Sequence, residues 1–588
     1  MLPPDGRAVL VDLLKPPAGS ELVRGVATTF TLDLVHALTA PLAFASHRIG
    51  GGADPIAVME AVRLAADRLD IFCQAGMVQV PSGAPDLLAF LEPMIHPVTS
   101  PHAGGLFHPK LWVLEFSDGE TTTFRLLCSS RNLTGDRSWD AVLCLDGVRG
   151  TRRSMQNAPI RELLNRLPTW AVGRLDDERI ARVQALAESI RYAEWELPDD
   201  VKELTFHILG ATSRRSSLDV SGRRQLVVSP FLTDDGIGRV RPDEKSELIV
   251  VSRIDELDRL DPATLERVAT TYIVDDAAAL EADEHATASD ALVGLHAKVY
   301  VSERGYDAHV FIGSANATAA GFDGNVEALV ELVGSKKRIG IDTITGPDAS
   351  FRQVLEEYEA QGGREPSETE EADRLLEQAL CELATTRFGG AVGRQDDVYM
   401  LTVSALRPAT IKDGMTATMA LVTRPGEAST LDPVVDVTFD GLDMLDITPF
   451  LIVELTDGRG ESRRTVVHAR LSGDPAARRD EVLARQIDTP EKFLRLLQLL
   501  LALANGGRVD LAAVAGADGA GGWFGGTQQI FEGLVRAVGA GGAGLGDIAT
   551  LVERLQATER GRDVLPPGFA DLWEVVWAAH TELAGTAR

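Results

Sequence analysis

Two groups of polar residues in this 588-residue chain repeat each other in type, order and spacing. Each copy consists of a His-x-Lys triplet, a Ser-x-Asn triplet whose Ser lies 18 to 22 residues after the His, and then a carboxylate. The two copies are His108, Lys110, Ser130, Asn132 and Asp140, and His296, Lys298, Ser314, Asn316 and Glu327. With 11 His and nine Lys in the chain, random placement gives about 0.2 His-x-Lys triplets, whereas two occur. The repeat therefore indicates a duplicated chemical site.

These residue types suit chemistry at a phosphodiester. A neutral imidazole can attack phosphorus to form a phosphohistidine, while a second, protonated imidazole donates to the leaving oxygen and then activates water. Lys and Asn can bind the non-bridging phosphate oxygens, and Ser can add a further donor. Asp140 and Glu327 are the candidates for holding an imidazole tautomer. This chemistry requires no metal and no cofactor, so we expect neither.

The elements that must position these groups are readable from the same stretches. Residues i and i+2 of a strand share a face, so each His projects together with its Lys. Both triplets open strand-like runs, KLWVLEF and KVYVSE, and in each copy a second such run leads into Ser-x-Asn. Apolar runs alternate with helical stretches around both copies, which predicts α/β units with buried sheets. Two copies facing each other would surround a single phosphate.

At these residues the sequence resembles the phospholipase D superfamily, whose signature is a duplicated His-x-Lys motif followed by Ser-x-Asn. The second copy, LHAKVYVSE with FIGSANAT and NVEALVEL, is similar to the nuclease-like branch. The resemblance covers roughly residues 28–340 and implies two similar lobes with the active site between them. It also implies a metal-independent phosphohistidine mechanism with His108 as the nucleophile and His296 as the acid/base.

The sequence departs from the family pattern at three places. Where the family has Asp five residues after the Lys, this chain has Glu115 and Glu303, for which we expect structural or solvated roles. Ser129 replaces the Gly before the first Ser-x-Asn triplet. The stretch between Asn and the carboxylate is three residues shorter in the first copy. None of these changes removes a reacting group.

The fold class expected is α/β, with two similar phospholipase D-like lobes followed by a small β domain and a helical C-terminal region. The predicted divisions are lobe 1 with a helical connector (1–205), lobe 2 (206–345), an acidic helical linker (346–390), a small β domain (391–480) and a helical C-terminal domain (481–588). The β domain is predicted from alternating apolar and polar residues broken by Gly, Asp and Pro.

Composition sets limits on partners and location. The chain holds 58 Lys and Arg against 87 Asp and Glu, a net charge of −29. That deficit argues against a nonspecific coat on nucleic acid and leaves room for a local basic cleft. Four scattered Cys without a CxxC pair indicate a reducing compartment. No signal-peptide pattern opens the chain and no apolar run reaches about 18 residues, so we expect a cytoplasmic protein with no membrane contact.

Some features keep two interpretations. His102 could contact substrate or could simply be a loop residue. A Gly-rich stretch at 539–544 matches GxGxxG but follows a helical pattern, so a linker is favoured over a dinucleotide site. Three basic clusters could rim a nucleic-acid groove or form ordinary solvated surface: Arg149, Arg152 and Arg153; Arg214, Arg215, Arg223 and Arg224; and Lys336, Lys337 and Arg338.

We expect a nuclease, with nucleic acid as substrate and DNA in preference to RNA. The chain shows no sign of secretion and no basic amphipathic helix for docking on a membrane. The C-terminal β and helical regions are expected to bind protein partners, and the resemblance implies a setting in antiviral defence or DNA processing. Two alternatives stay open, a phospholipid hydrolase or phosphatidyl transferase and a non-catalytic nucleic-acid-binding scaffold subunit.

Overall fold

The structure is a computed structural model of the full chain. It describes residues 10–45, 66–81, 88–135, 138–211, 218–241, 246–274, 294–478, 545–557 and 559–586, with a few single positions between 481 and 534. Two of the helices expected in the C-terminal region, at 492–504 and 527–538, lie largely or wholly outside the described residues, as do the Gly-rich stretch at 539–544 and the pair Arg214 and Arg215.

The first sheet has the strand order β5-β3-β1-β6-β7-β8-β9, and β2 pairs with β4 in a separate small ribbon. Strands β5, β3 and β1 are parallel to one another, and the neighbours from β6 onward are antiparallel. The strands are β1 (Glu21–Thr29), β2 (Leu32–Asp33), β3 (Leu69–Gln74), β4 (Val78–Gln79), β5 (Ile95–Val98), β6 (Leu111–Ser117), β7 (Thr122–Ser129), β8 (Val142–Arg149) and β9 (Ala193–Trp195).

The second sheet repeats this arrangement, with the order β10-β16-β15-β14-β11-β12-β13-β17. Its parallel strands β11, β12 and β13 correspond to β1, β3 and β5, and its antiparallel strands β14, β15 and β16 correspond to β6, β7 and β8. The strands are β10 (Val201–Leu209), β11 (Arg224–Val228), β12 (Glu247–Val251), β13 (Thr270–Val274), β14 (Val299–Arg304), β15 (Asp307–Gly313), β16 (Glu327–Ser335) and β17 (Leu355–Glu357).

Two strands, β10 and the strand Phe388–Gln395, cross divisions expected from the sequence, and a third, β17, lies inside a predicted linker. Strand β10 spans the predicted boundary at 205/206 and pairs along its length with β16 of the second sheet. Strand β17 lies in the segment predicted as an acidic linker, yet it pairs with β13. Strands β10 and β17 were obscured by local composition, because β10 follows a long helical pattern and β17 sits within an acidic run.

The third β region contains two four-stranded sheets, with the orders β22-β19-β18-β25 and β21-β20-β23-β24. The alternating pattern of the sequence forms strands that pair antiparallel here, except that β18 and β25 are parallel. The strands are β18 (Phe388–Gln395), β19 (Val398–Ala405), β20 (Thr416–Leu421), β21 (Arg424–Thr430), β22 (Val437–Leu442), β23 (Phe450–Thr456), β24 (Ser462–His468) and β25 (Arg470–Ser472).

The helices are short except where an apolar stripe is buried. In α5 the apolar residues recur at helical spacing and are buried in the core that the two large sheets share, and α12 begins with a capping box at Ser367 and Glu370. The helices are α1 (Leu10–Leu14), α2 (Leu34–Ala37), α3 (Thr39–Ala45), α4 (Leu88–Leu91), α5 (Ala158–Trp170), α6 (Asp177–Ser189), α7 (Asp234–Val240), α8 (Ile254–Arg259), α9 (Pro262–Leu265), α10 (Lys336–Ile339), α11 (Asp342–Thr345), α12 (Glu368–Leu383), α13 (Leu545–Ala557), α14 (Glu559–Val564) and α15 (Phe569–Thr586).

One hydrophobic core joins the two large sheets. It contains Val26 and Val113 from the first sheet together with Val228, Val299 and Ala328 from the second, all almost fully buried. Because both sheets contribute to a single core, their strand edges are held in a fixed relation. Within the described residues, no helix is long and apolar enough to cross a membrane.

Candidate active site

The strand directions bring both copies of the repeat to one edge of each sheet. In the first sheet, β6 runs antiparallel to β1 and to β7, and β8 runs antiparallel to β7. The start of β6, the end of β7 and the start of β8 therefore lie at the same edge. His108 and Lys110 directly precede β6, Ser130 directly follows β7, and Asp140 precedes β8. The second copy occupies the same places on β14, β15 and β16.

The two edges are joined by main-chain hydrogen bonds beside the histidines. His108 N donates to Val326 O over 2.9 Å, and His296 N donates to Trp139 O over 2.9 Å. These bonds belong to two short parallel bridges, one pairing Phe107 with Val326 and the other pairing Trp139 with Leu295. Each His-x-Lys triplet thus lies alongside the segment that carries the carboxylate of the other copy.

The carboxylates bind the imidazoles across this junction. Nδ1 of His108 is 2.9 Å from Glu327 Oε2, and Nδ1 of His296 is 2.9 Å from Asp140 Oδ1. An ionised carboxylate can only accept, so Nδ1 of each ring carries the donated proton and the Nε2 lone pair is left for chemistry. Asp140 and Glu327, the two carboxylates singled out from the sequence, each contact the histidine of the opposite copy.

The two serines have a different role from the one expected. Ser130 Oγ donates to Asp140 Oδ1 over 3.1 Å, and Ser314 Oγ donates to Glu327 Oε2. Each hydroxyl also accepts a hydrogen bond from the main chain at the start of the neighbouring strand, from the N–H of Ala141 or Ala328. The hydroxyls therefore orient the carboxylates, whereas the sequence suggested donation to a phosphate.

The lysines point into the same space. Lys110 Nζ is 2.9 Å from His108 Nε2 and 3.1 Å from His108 O, and Lys298 Nζ donates to His296 O over 2.7 Å. Both lysine side chains are almost completely buried. The site therefore concentrates two cationic side chains and two carboxylates around two imidazoles.

Burial controls the protonation of these groups. It lowers the pKa of His108 to about 4 and that of His296 to about 4, against the opposing pull of their carboxylates. Burial also lowers the pKa of Lys110 to about 7 and that of Lys298 well below its usual range. For Glu327 burial acts to raise the pKa, but its interaction with His108, together with Lys110 and Ser314, holds the pKa below the ordinary value. Both imidazoles are consequently neutral near pH 7 in the unliganded site.

The two asparagines lie at the ends of the same strands. Asn132 Oδ1 accepts a weak hydrogen bond of 3.4 Å from Thr31 N. Asn316 Oδ1 is buried and has no hydrogen-bond partner within the described part of the chain. An unpaired buried amide oxygen is costly, so Asn316 has unused hydrogen-bonding capacity beside the second His-x-Lys triplet.

Several supporting residues were missed by sequence reasoning. Thr29 Oγ1 accepts from Leu133 N over 2.9 Å, and Ser229 Oγ accepts from Ala317 N over 3.0 Å, which fixes the turn after each Ser-x-Asn triplet. Gln74 Oε1 accepts from Phe107 N over 2.7 Å, directly before His108. A polar residue at the carboxyl end of each parallel strand was the available signal.

The phenylalanine that follows β1 contacts the first histidine. The Phe30 ring lies edge-on to His108, with ring centroids 4.9 Å apart, and its centroid is 5.7 Å from Lys110 Nζ. This ring covers one side of the imidazole and helps to exclude water from it.

The departures from the family pattern have structural explanations. Glu115 pairs with Arg24 at 2.8 Å and accepts from Ser189 Oγ, while Glu303 accepts from Ile341 N. Both glutamates are buried at the strand ends away from the histidines, so the expected structural role agrees with their contacts. At Gly313 a Cβ atom would lie 2.1 Å from a main-chain oxygen of β16. The equivalent position in the first copy is Ser129, which has a Cβ atom, so that close approach is specific to the second copy.

His102 and the basic clusters make local contacts. His102 Nε2 donates to Gly210 O over 2.7 Å, which fixes a loop between the two sheets. Arg149 stacks on Tyr192, and Arg224 pairs with Asp342 and Glu247. Of the two interpretations of these clusters, the contacts of Arg149 and Arg224 favour ordinary surface structure.

No family model and no curated protein matches the sequence. Among solved structures, the chain is similar to a mutant of yeast tyrosyl-DNA phosphodiesterase, with 13% identity and a TM-score of 0.35 over 54% of this chain and 83% of that chain. It is also similar to polyphosphate kinase from Porphyromonas gingivalis, with 14% identity and a TM-score of 0.33 over 63% of this chain and 50% of that chain. Likeness at this level carries no functional argument, so the chemistry must be judged from the site itself.

Proposed function

We propose that the protein is a phospholipase D-type phosphodiesterase that cleaves nucleic acid through a phosphohistidine intermediate. The observation that carries this proposal is the pair of imidazoles, each fixed at Nδ1 by a carboxylate from the opposite sheet. Such fixation leaves Nε2 of each ring for the reaction once Lys110 Nζ, which contacts His108 Nε2 in the unliganded site, turns to the phosphate. A nucleophile and an acid/base acting on one phosphorus atom require such a pair.

In the first step, His108 Nε2 attacks phosphorus. A P–N bond forms as the bond from phosphorus to the leaving oxygen breaks, and His296 gives its Nε2 proton to that oxygen. The contact between Lys110 Nζ and His108 Nε2 supports this assignment, because an ammonium donating to Nε2 requires His108 to be neutral. His296 has no such contact among the described residues, so its Nε2 can carry the proton.

In the second step, His296 Nε2 removes a proton from water while the water oxygen attacks phosphorus. The P–N bond breaks and neutral His108 is restored. The negative charge of a bound phosphodiester raises the proton affinity of His296 above that in the unliganded site, which supplies the proton that the first step needs. All bonds and protons balance without a metal or an organic cofactor.

Charge on the phosphoryl oxygens is balanced by Lys110 and Lys298, with Asn132 and Asn316 as amide donors. The lysines are already desolvated, so their attraction to the developing negative charge is strong and costs little rearrangement. Their lowered pKa values rise when the phosphate binds, because the substrate supplies the missing negative charge.

The test is cleavage of labelled DNA and RNA, single- and double-stranded, with EDTA present throughout. We expect the wild-type protein to cleave at least one of these strands, and His108→Ala and His296→Ala to abolish cleavage. His580→Ala, in the C-terminal helix α15, is the matched histidine control and should cleave normally. A phosphohistidine is stable in base and labile in acid, so the absence of a base-stable, acid-labile labelled protein species at high substrate would exclude the covalent intermediate. Undiminished cleavage in both active-site variants would overturn the proposal.

A further inference from the structure

An aromatic ring and an arginine lie together on one side of the site. The guanidinium carbon of Arg253 is 5.0 Å from the ring centroid of Phe231, and the Phe231 side chain is 41% exposed. Arg253 is held by two hydrogen bonds from Nε and Nη2 to Leu295 O, at 3.0 and 2.7 Å. Leu295 directly precedes His296, so this pair borders the reacting groups.

The first copy has different residues at the two equivalent positions, although Phe30 lies beside its histidine. Ser229 Oγ donates to Phe231 O over 2.8 Å, just as Thr29 Oγ1 donates to Thr31 O over 2.8 Å. The place of Phe231 is therefore taken by Thr31 in the first sheet. A small polar residue cannot offer a flat apolar face to a ligand.

Arg253 is equally unmatched. The strand registers make Gln74 and Arg253 equivalent positions. Gln74 is the last residue of β3, and Arg253 lies two residues after the end of β12. Both side chains bind the main chain before a His-x-Lys triplet, Gln74 at Phe107 N and Arg253 at Leu295 O. In the first copy the neutral amide of Gln74 holds the main chain before the triplet. Holding the main chain therefore does not by itself require the positive charge of Arg253.

An exposed aromatic ring backed by an arginine is a typical stacking surface for a nucleobase. In a duplex both faces of a base are already occupied by its neighbours, whereas in a single strand they are accessible. The charge of Arg253 also favours the phosphate backbone beside the base. The surface of Phe231 and Arg253 lies on the His296 side, where the leaving oxygen would be.

We propose that Phe231 and Arg253 form a stacking platform for a base of single-stranded nucleic acid next to the phosphate that is cleaved. This inference rests on the proposed function, since it names the strand form that the same site accepts. The platform makes the two sides of the site unequal, so the strand binds with one polarity.

The test is binding of a fluorescent single-stranded oligonucleotide to His108→Ala protein, so that cleavage does not interfere. Adding Phe231→Ala should weaken binding about five- to hundredfold, the range for loss of one stacked base. Phe231→Trp should retain binding and Phe231→Leu should not. Tyr306→Ala, which removes a 90% exposed ring in the turn at the far end of β14, is the matched control and should have no effect. Arg253→Gln, which copies Gln74, should reduce the slope of log Kd against log salt by about 0.7.

Two further nucleic acids show whether the Phe231 ring contacts a base. An oligonucleotide with abasic sites should lose its sensitivity to Phe231→Ala, and a duplex should show none. Equal weakening for the duplex and the single strand, or no weakening for either, would overturn the platform. Cleavage of a duplex by wild-type protein that is indifferent to Phe231 would overturn the platform and leave the proposed phosphodiesterase standing. Phe231-dependent binding of single strands, without cleavage of any substrate by the wild-type protein, would support the platform and overturn the proposed phosphodiesterase.

Discussion

Replacing Glu327 with Gln tests the crossed carboxylates most directly. Glu327 Oε2 receives hydrogen bonds from His108 Nδ1 and Ser314 Oγ, and Oε1 receives one from Asn325 Nδ2 at 3.2 Å. All three partners donate, so the position is built for an acceptor at both oxygens. A glutamine has one carbonyl oxygen and one amide nitrogen, and either orientation places a donor against a donor.

Neither orientation of the glutamine is free of cost. If its nitrogen faces Asn325, that side chain cannot simply flip, because Asn325 Oδ1 already accepts from Leu106 N at 3.0 Å. If its nitrogen faces His108, the imidazole takes the other tautomer and Nε2 carries the proton, which removes the attacking lone pair. The variant therefore loses nucleophilic strength while the shape of the site is preserved.

The magnitude follows from the bond that is lost. A hydrogen bond to a charged group contributes about 1.5 to 3 kcal/mol, which corresponds to about ten- to 150-fold in rate. We expect Glu327→Gln to lower kcat by that factor in an oligonucleotide cleavage assay, with little change in KM. Glu115→Gln is the matched control, since it alters another buried glutamate at the far end of β6 and should leave kcat unchanged.

Both variants should be compared at equal folded fraction, measured by thermal unfolding. If Glu327→Gln retains the wild-type kcat while folded, the carboxylate does not control the His108 tautomer and the reasoning is refuted. If Glu115→Gln lowers kcat equally, the loss comes from general damage to the sheet.

Three other predictions concern protonation, stability and backbone fit. The plot of kcat/KM against pH should fall below about pH 4 as His108 becomes protonated, and should decline above that pH as the acid His296, whose pKa is also about 4, and then Lys110, whose pKa is about 7, lose their protons; a profile flat from pH 3 to 10 contradicts the site described. Arg478→Ala should cost about 3–5 kcal/mol in urea unfolding, because it removes the buried cation that Glu92 and Asp474 share, and a cost below about 1 kcal/mol would contradict that pairing. Gly313→Ala should reduce activity and the melting temperature together, since the new Cβ would lie 2.1 Å from a main-chain oxygen, and normal values for both would show that the strands separate freely.

Much of the site was predictable because its chemistry is local in sequence. The His-x-Lys spacing fixes two side chains on one face of an extended segment, and the apolar runs that follow specify the strands β6 and β14. The sequence could not show which carboxylate faces which histidine. The order of residues in the repeat is compatible with Asp140 and Glu327 contacting the histidine of their own copy or that of the other copy. That pairing depends on how the two sheets dock. The serine hydroxyls were misassigned for a related reason, since a hydroxyl can serve a carboxylate or a phosphate and only the docked structure distinguishes them.

The least predictable element of the fold near the site was the segment after β1. TLDLVHALTAPLAFA has the apolar spacing of one continuous helix, yet the structure has β2 followed by the short helices α2 and α3. Asp33 explains the break, because its side chain accepts from Val35 N and His36 N and so caps a new helix. Leu32, just before it, forms a bridge with Leu133, a contact that local periodicity cannot reveal.

The crossing of the carboxylates makes the two halves of the chain mutually dependent. Neither half contains both a histidine and the acid that directs it, so each supplies the missing partner of the other. Separating the two sheets by a few ångströms would break both contacts between a histidine and its carboxylate at once, without altering any reacting residue. The proposed activity therefore depends on the docking of the two halves. A chain cleavage or distortion that separates them would inactivate the site before either sheet unfolds.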